Sequence, residues 1–234
     1  MRGVFFRYVE PLLFLLIAAV TAVGVALLCE QRIMQQSAVA ADDYVVGYEQ
    51  TEYEISPYDN LFRRVAFDEG FDWRLMSAMA KVESRFVPDA KSRVGAVGIM
   101  QVMPHVAREL GCKTKEELLD VRRNIEVAAM ILKDNKRMLR PFSGVSSRDS
   151  LSFILACYNA GYPRIADARA LARHYGENGR EWSVVARYMA LLADPEFYEH
   201  EVVKRGRFTG SDETISYVNK VLASYDDICR RVAL

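Results

Sequence analysis

The chain has 234 residues, of which 51% are hydrophobic, 11% aromatic and 26% charged. That composition excludes a disordered chain and is enough to build a sizeable core. Lysine plus arginine (31) equals aspartate plus glutamate (31), so charge gives no case for nucleic acid as a partner.

The first element is an apolar run. Arg2 and Arg7 precede PLLFLLIAAVTAVGVALLC, uncharged from Pro11 to Cys29. Nineteen residues at about 1.5 Å each make roughly 28 Å, close to the hydrocarbon thickness of a bilayer. Positive charge on the N-terminal side favours N-in, C-out. A cleaved signal peptide has a candidate site at Ala38–Ala40, but Glu30 and Arg32 separate it from the apolar run. A lipoprotein would use Cys29, behind a poorly matching Leu27 and Leu28. An uncleaved signal anchor over 1–29 fits best, followed by a juxtamembrane linker over 30–56 carrying Asp42, Asp43, Glu49, Glu52 and Glu54. Residues 57–234 then form a domain outside the cytoplasm. Its cysteines, Cys112, Cys157 and Cys229, match no zinc spacing and allow at most one internal disulfide.

From Ser56 the pattern is helical. Ser56-Pro57 reads as an N-cap and first helical residue, with Gly70 as the stop. Asp72 caps the next helix, Thr114-x-x-Glu117 is a capping box, and Asn124 opens a helix with apolar residues at 125, 128, 132 and 139. Further helices are expected over 150–161, 163–175, 181–192 and 212–230. No period-2 run of strand length is present. The domain is predominantly all-α.

Glu83, in AKVESRF, stands out on its helix. At about 100° per residue, Met76, Met79, Ala80 and Phe86 fall within roughly 60° of it, whereas Arg74, Lys81 and Arg85 lie on the far side. A carboxyl on an apolar arc has its pKa raised by burial, as a general acid near neutrality requires. A structural glutamate satisfied by backbone or an arginine explains its position equally well. SRVGAVGIMQVMP follows, with Gly95 and Gly98 able to turn sharply or approach a ligand, and Gln101 offering an amide. In CYNAGYPRI, Tyr158 and Asn159 either line a cleft or serve as a core tyrosine and a cap. Asp89 follows Pro88, beyond the helix, and reads as a cap or a solvent-facing residue. His105, His174 and His200 have no metal-binding pattern.

In this order the segments resemble the catalytic domain of the lytic transglycosylases, within the lysozyme-like superfamily. That family carries Glu-Ser on a helix, Gly-x-x-Gly-x-Met/Leu-Gln-x-Met-Pro, Ala-Tyr-Asn-Ala-Gly, and a late Tyr-Val pair. Here they are Glu83-Ser84, Gly95 to Pro104, Cys157 to Gly161, and Tyr217-Val218. Cys157 replaces the usual alanine. The resemblance spans about residues 57–230.

It implies cleavage of the β-1,4 bond between N-acetylmuramic acid and N-acetylglucosamine in peptidoglycan, without water and without metal or cofactor. Glu83 would act first as acid and then as base. Ser84 and Gln101 would bind substrate or orient the acid; Met100, Tyr158 and Asn159 would line the cleft; Tyr217 would hydrogen-bond Glu83. Peptidoglycan strands, and the membrane through the N-terminal segment, are the implied partners, which places the domain in the periplasm. Ordinary glycosidases need two carboxylates; an internal hydroxyl and the substrate's N-acetyl group make one sufficient. A lysozyme-type hydrolase and a non-catalytic peptidoglycan-binding scaffold are the alternatives.

Overall fold

The computed structural model divides the chain into residues 1–52 and 53–234. It describes residues 55–139 and 145–232, all in the second unit. The apolar run at Pro11–Cys29 and nearly all of the 30–56 linker lie outside the described residues. Among those described, no helix is long and apolar enough to cross a membrane.

The described residues form helices joined by loops, with isolated β-bridges but no strand among them. The elements are α1 (Asp59–Glu69), α2 (Trp73–Ser84), α3 (Pro104–Glu109), a 3-10 turn (Glu116–Leu119), α4 (Val121–Met138), α5 (Ser147–Ala160), α6 (Tyr162–His174), α7 (Trp182–Leu191), α8 (Pro195–Tyr198) and α9 (Ser211–Val232).

Local chemistry sets most of the ends. Gly70 closes α1 in the left-handed conformation, at φ 71°. Asp72 caps α2 by accepting from Arg74 N. Pro104 opens α3, and Gly161 follows the last residue of α5.

Four expected ends differ. α5, expected from residue 150, starts at Ser147 because the Ser146 hydroxyl caps it by accepting from Asp149 N. α1 starts at Asp59 rather than Pro57, because the buried Asp59 carboxylate accepts from Ile55 N (2.7 Å), Ser56 N (3.0 Å) and Ser56 Oγ (2.8 Å). The Thr114 hydroxyl does accept from Glu117 N (3.3 Å), but it fronts only the 3-10 turn. α4 starts at Val121 under an Asp120 cap, so Asn124 lies inside the helix and is buried.

α2 packs on α1 and α9, while α5 packs on α4, α6 and α9. Between them lies a core that includes Phe62, Met76, Met79, Ile125, Phe153 and Ile165. α9, about 33 Å long at 1.5 Å per residue, crosses α2 so that the Tyr225 hydroxyl donates to Asp72 (2.7 Å). Beyond α8 the chain is irregular. The buried Asp167 of α6 ties it down, accepting from Lys204 N (2.9 Å) and Arg205 N (2.8 Å).

Candidate active site

Glu83 sits in the last turn of α2, and the helix ends immediately after it. Arg85 and Phe86 both take left-handed backbone, at φ 54° and 64°. Two consecutive non-glycine residues there are unusual and store strain. Phe86 is therefore beyond the helix rather than on its apolar arc. The turn frees the chain to double back as the 87–103 loop against the C-terminal end of α2.

That loop is held by its own backbone and by Asn124. Val97 and Val102 exchange two hydrogen bonds (3.0 and 2.9 Å) around the Gly98–Gln101 turn. The Asn124 amide nitrogen donates to Val97 O (2.9 Å) and Leu118 O (2.8 Å), and its oxygen accepts from Met100 N (2.8 Å). Gly98, at φ 82°, lies so close that an added Cβ would stand 2.2 Å from Asn124 Nδ2. Gln101 has φ 50° and donates to Gly98 O (2.9 Å) and Ala90 O (3.2 Å). Both its amide protons hold the loop, which leaves its carbonyl oxygen to accept.

The candidate residues fall into two groups. The Ser84 hydroxyl donates to Ile99 O (2.7 Å), stapling α2 to the loop. Met100 is fully buried, so the structure places its side chain in the core rather than on an open wall. Its carbonyl accepts from the Tyr158 hydroxyl (2.8 Å). Tyr158 thus joins α5 to the loop at the point where Asn124 holds it. Asn159, exposed, accepts from the Thr214 hydroxyl (2.8 Å), leaving its amide protons to donate.

Glu83, Tyr158 and Tyr217 form one electrostatic cluster. Burial raises the Glu83 pKa to about 7, opposed by the Tyr217 hydroxyl and assisted by the Glu213 carboxylate. Burial, reinforced by the Glu83 charge, pushes both tyrosines well above their ordinary value. The Tyr217 hydroxyl is buried beside the carboxyl without meeting full hydrogen-bond geometry, and no other group among the described residues bonds it. An orphaned buried donor is costly, and here it faces a group that changes charge. The arrangement is a carboxyl poised to be half protonated at neutrality, with a donor ready for its ionised form.

Glu213 and Asn124 had no signal in the sequence as members of this site. Glu213 reads as a helix-opening acid, one turn before Tyr217; only the docking of α9 on α2 brings its charge to bear on Glu83. Glu213 thus adds a second carboxylate charge that acts on Glu83. Asp89 is exposed. Cys157 is a buried free thiol whose pKa burial pushes up to about 12, so it packs as a small uncharged side chain. Cys112 and Cys229 are free as well. Among the described residues, no group of three or more His, Cys, Asp or Glu is placed to hold a metal ion.

Residues 60–182 match the transglycosylase SLT domain family. The chain is 31% identical over 169 residues to the membrane-bound lytic murein transglycosylase F of Alcanivorax borkumensis, covering 72% of this chain and 34% of that protein. It is 32% identical over 170 residues to the protein of the same name from Maricaulis maris, covering 73% and 36%. It therefore spans about a third of the length of these curated relatives. The 70-kDa soluble lytic transglycosylase of Escherichia coli shares the fold, with a TM-score of 0.54 at 24% identity over 75% of this chain and 24% of that one. The mostly helical fold, the four ordered motifs and the family match agree: the chain belongs to the transglycosylase SLT domain family.

Proposed function

We propose that this protein is a peptidoglycan lytic transglycosylase, cleaving the β-1,4 bond between N-acetylmuramic acid and N-acetylglucosamine without water. The observation that carries this reading is the Glu83 carboxyl, its pKa raised to about 7 by burial and flanked by the Tyr217 hydroxyl. One group can then give a proton and take one back at the same pH.

In the first step the Glu83 proton passes to the glycosidic oxygen as the bond from that oxygen to the muramoyl C1 breaks. The substrate's N-acetyl oxygen stabilises the positive charge at C1. The carboxylate left behind is stabilised by the Tyr217 hydroxyl. In the second step Glu83 takes the proton of the muramoyl 6-hydroxyl, whose oxygen bonds to C1 and closes a 1,6-anhydro ring. Glu83 ends protonated, ready for another cycle. The free carbonyl oxygen of Gln101 and the free amide of Asn159 offer an acceptor and a donor to sugar hydroxyl and N-acetyl groups. Ser84, Met100 and Tyr158 act at one remove, by fixing the loop against α2 and α5.

The names of the relatives, membrane-bound lytic murein transglycosylases, support this substrate class. They also support a place in the envelope, with the Pro11–Cys29 run as the membrane anchor and the domain on the periplasmic side. Membrane fractionation of the whole chain, compared with a chain starting after residue 41, tests the anchor; equal partition of both would refute it.

One observation favours a second reading. Glu213 brings a second carboxylate within electrostatic reach of Glu83, and a hydrolase needs a second carboxylate to activate water or stabilise the sugar cation. Mass spectrometry of digested peptidoglycan decides. Products lighter by one water, with anhydro ends, are expected; reducing ends would make the protein a lysozyme-type muramidase.

A further inference from the structure

Thr214, in the first turn of α9, is only 1% exposed. Its backbone N–H donates to Gly210 O (3.1 Å), making a helical bond. Its hydroxyl stands 3.0 Å from that same oxygen and 2.8 Å from the side-chain oxygen of Asn159, at the end of α5. A hydroxyl has one proton to give. Gly210 O is already satisfied by the backbone bond, whereas the Asn159 oxygen has no other donor among the described residues. A separation of 2.8 Å is also the usual length of an O–H···O bond and short for N–H···O. The proton therefore goes to Asn159, and the amide nitrogen of that exposed side chain is left to donate.

This pair belongs to the surroundings of Glu83. Tyr158, the residue before Asn159, is under the influence of the Glu83 charge. Glu213 and Tyr217, on either side of Thr214 along α9, both act on Glu83.

The terminal torsion of an asparagine is broad and roughly two-fold, so an exposed amide left to itself exchanges its oxygen and nitrogen. Fixing one orientation matters for some ligand groups and not for others. A sugar hydroxyl both donates and accepts, and is served by either orientation. An acetamide oxygen only accepts, and needs the nitrogen. A buried hydroxyl that sets the amide one way round is thus a device for recognising an obligate acceptor.

We propose that Thr214 is a positioning residue: its buried hydroxyl holds the Asn159 oxygen so that the amide nitrogen donates to the N-acetyl oxygen of a bound sugar. The assignment rests on the reading of the protein as one that takes a peptidoglycan glycan. It gives that reading a basis for preferring N-acetylated strands over strands that carry free amines.

The test uses the full chain in detergent, with Glu83→Gln as the parent so that no turnover occurs. Binding of a soluble N-acetylglucosamine oligomer and of its de-N-acetylated counterpart is measured by calorimetry. The parent is expected to prefer the acetylated oligomer. Adding Thr214→Val should weaken binding of that oligomer about fivefold to tenfold, and adding Thr214→Ser, which keeps the hydroxyl, should restore it. In an Asn159→Ala background Thr214→Val should cost nothing further, because the two residues act as one unit. An equal loss in both backgrounds would make Thr214 structural and overturn the proposal. So would equal affinities of the Val and Ser variants, or a parent that binds both oligomers alike or neither. Thermal melts check folding, and Asn159→Asp removes dependence on the Thr214 variants: it still accepts from Thr214 but has no amide nitrogen to present. It should lose as much affinity as Asn159→Ala, and parental affinity would equally sink the assignment. If binding behaves as expected but the native chain releases no new ends from peptidoglycan, the activity reading alone fails.

Discussion

The Tyr217 hydroxyl lies buried beside the Glu83 carboxyl and acts on it against the effect of burial. The two residues come from α9 and α2, and the crossing of those helices brings them together. Burial and Glu213 hold the proton on Glu83, and Tyr217 favours its release.

This balance predicts opposite shifts for two substitutions. Activity needs protonated Glu83 at the start, so kcat/KM should fall as pH rises through about 7. Tyr217→Phe removes the interaction that favours the ionised form, raising the Glu83 pKa and moving this limb to higher pH. Glu213→Gln removes a repelling charge, lowering the pKa and moving the limb to lower pH. Both profiles can be read on one glycan substrate; shifts in the same direction would contradict the arrangement.

Glu83→Gln should abolish anhydro products and stabilise the fold. The folded pKa of about 7 lies above the ordinary 4.5, so ionised Glu83 disfavours the folded state. The penalty is absent below the unfolded pKa, grows through the interval, and is full above about pH 7. Denaturant unfolding should show the variant more stable by about 2–3 kcal/mol at pH 8 and scarcely changed at pH 4. Equal stability at both pH values would argue against a raised pKa.

Asn124→Ala should destabilise the domain by about 2–4 kcal/mol, because it strands the buried Met100 N–H and two carbonyls at once. The unfolding midpoint measures this. Activity at temperatures where the variant remains folded should also fall, since Met100 O, which accepts from Tyr158, loses its support.

The two loop glycines should behave differently. Gly98→Ala drives a Cβ to 2.2 Å from Asn124 Nδ2 and 2.7 Å from Leu118 O, so it should be at least as damaging as Asn124→Ala. Gly95, at φ 94°, has nothing within 4 Å of an added Cβ. Its alanine variant should lose only about 1 kcal/mol, the conformational term for left-handed backbone. Parallel thermal melts compare the two.

Much of the helical frame was legible in the chain itself, because caps and apolar spacing act over one or two turns. Gly70, Asp72 and Pro104 mark their helix ends by local chemistry alone. Glu83 could likewise be placed on an apolar arc, as an i, i+4, i+7 pattern fixes which side chains share a face. Asn124 misled for the same local reason: it is a good cap in isolation, but Asp120 took that position and freed Asn124 for the buried loop.

The sequence by itself determined the helices, the order of the four motifs and a carboxyl on an apolar face. Only the tertiary structure decided which groups tune that carboxyl. Tyr217 and Glu213 lie more than a hundred residues along the chain from Glu83, and neither periodicity nor capping carries information over that separation.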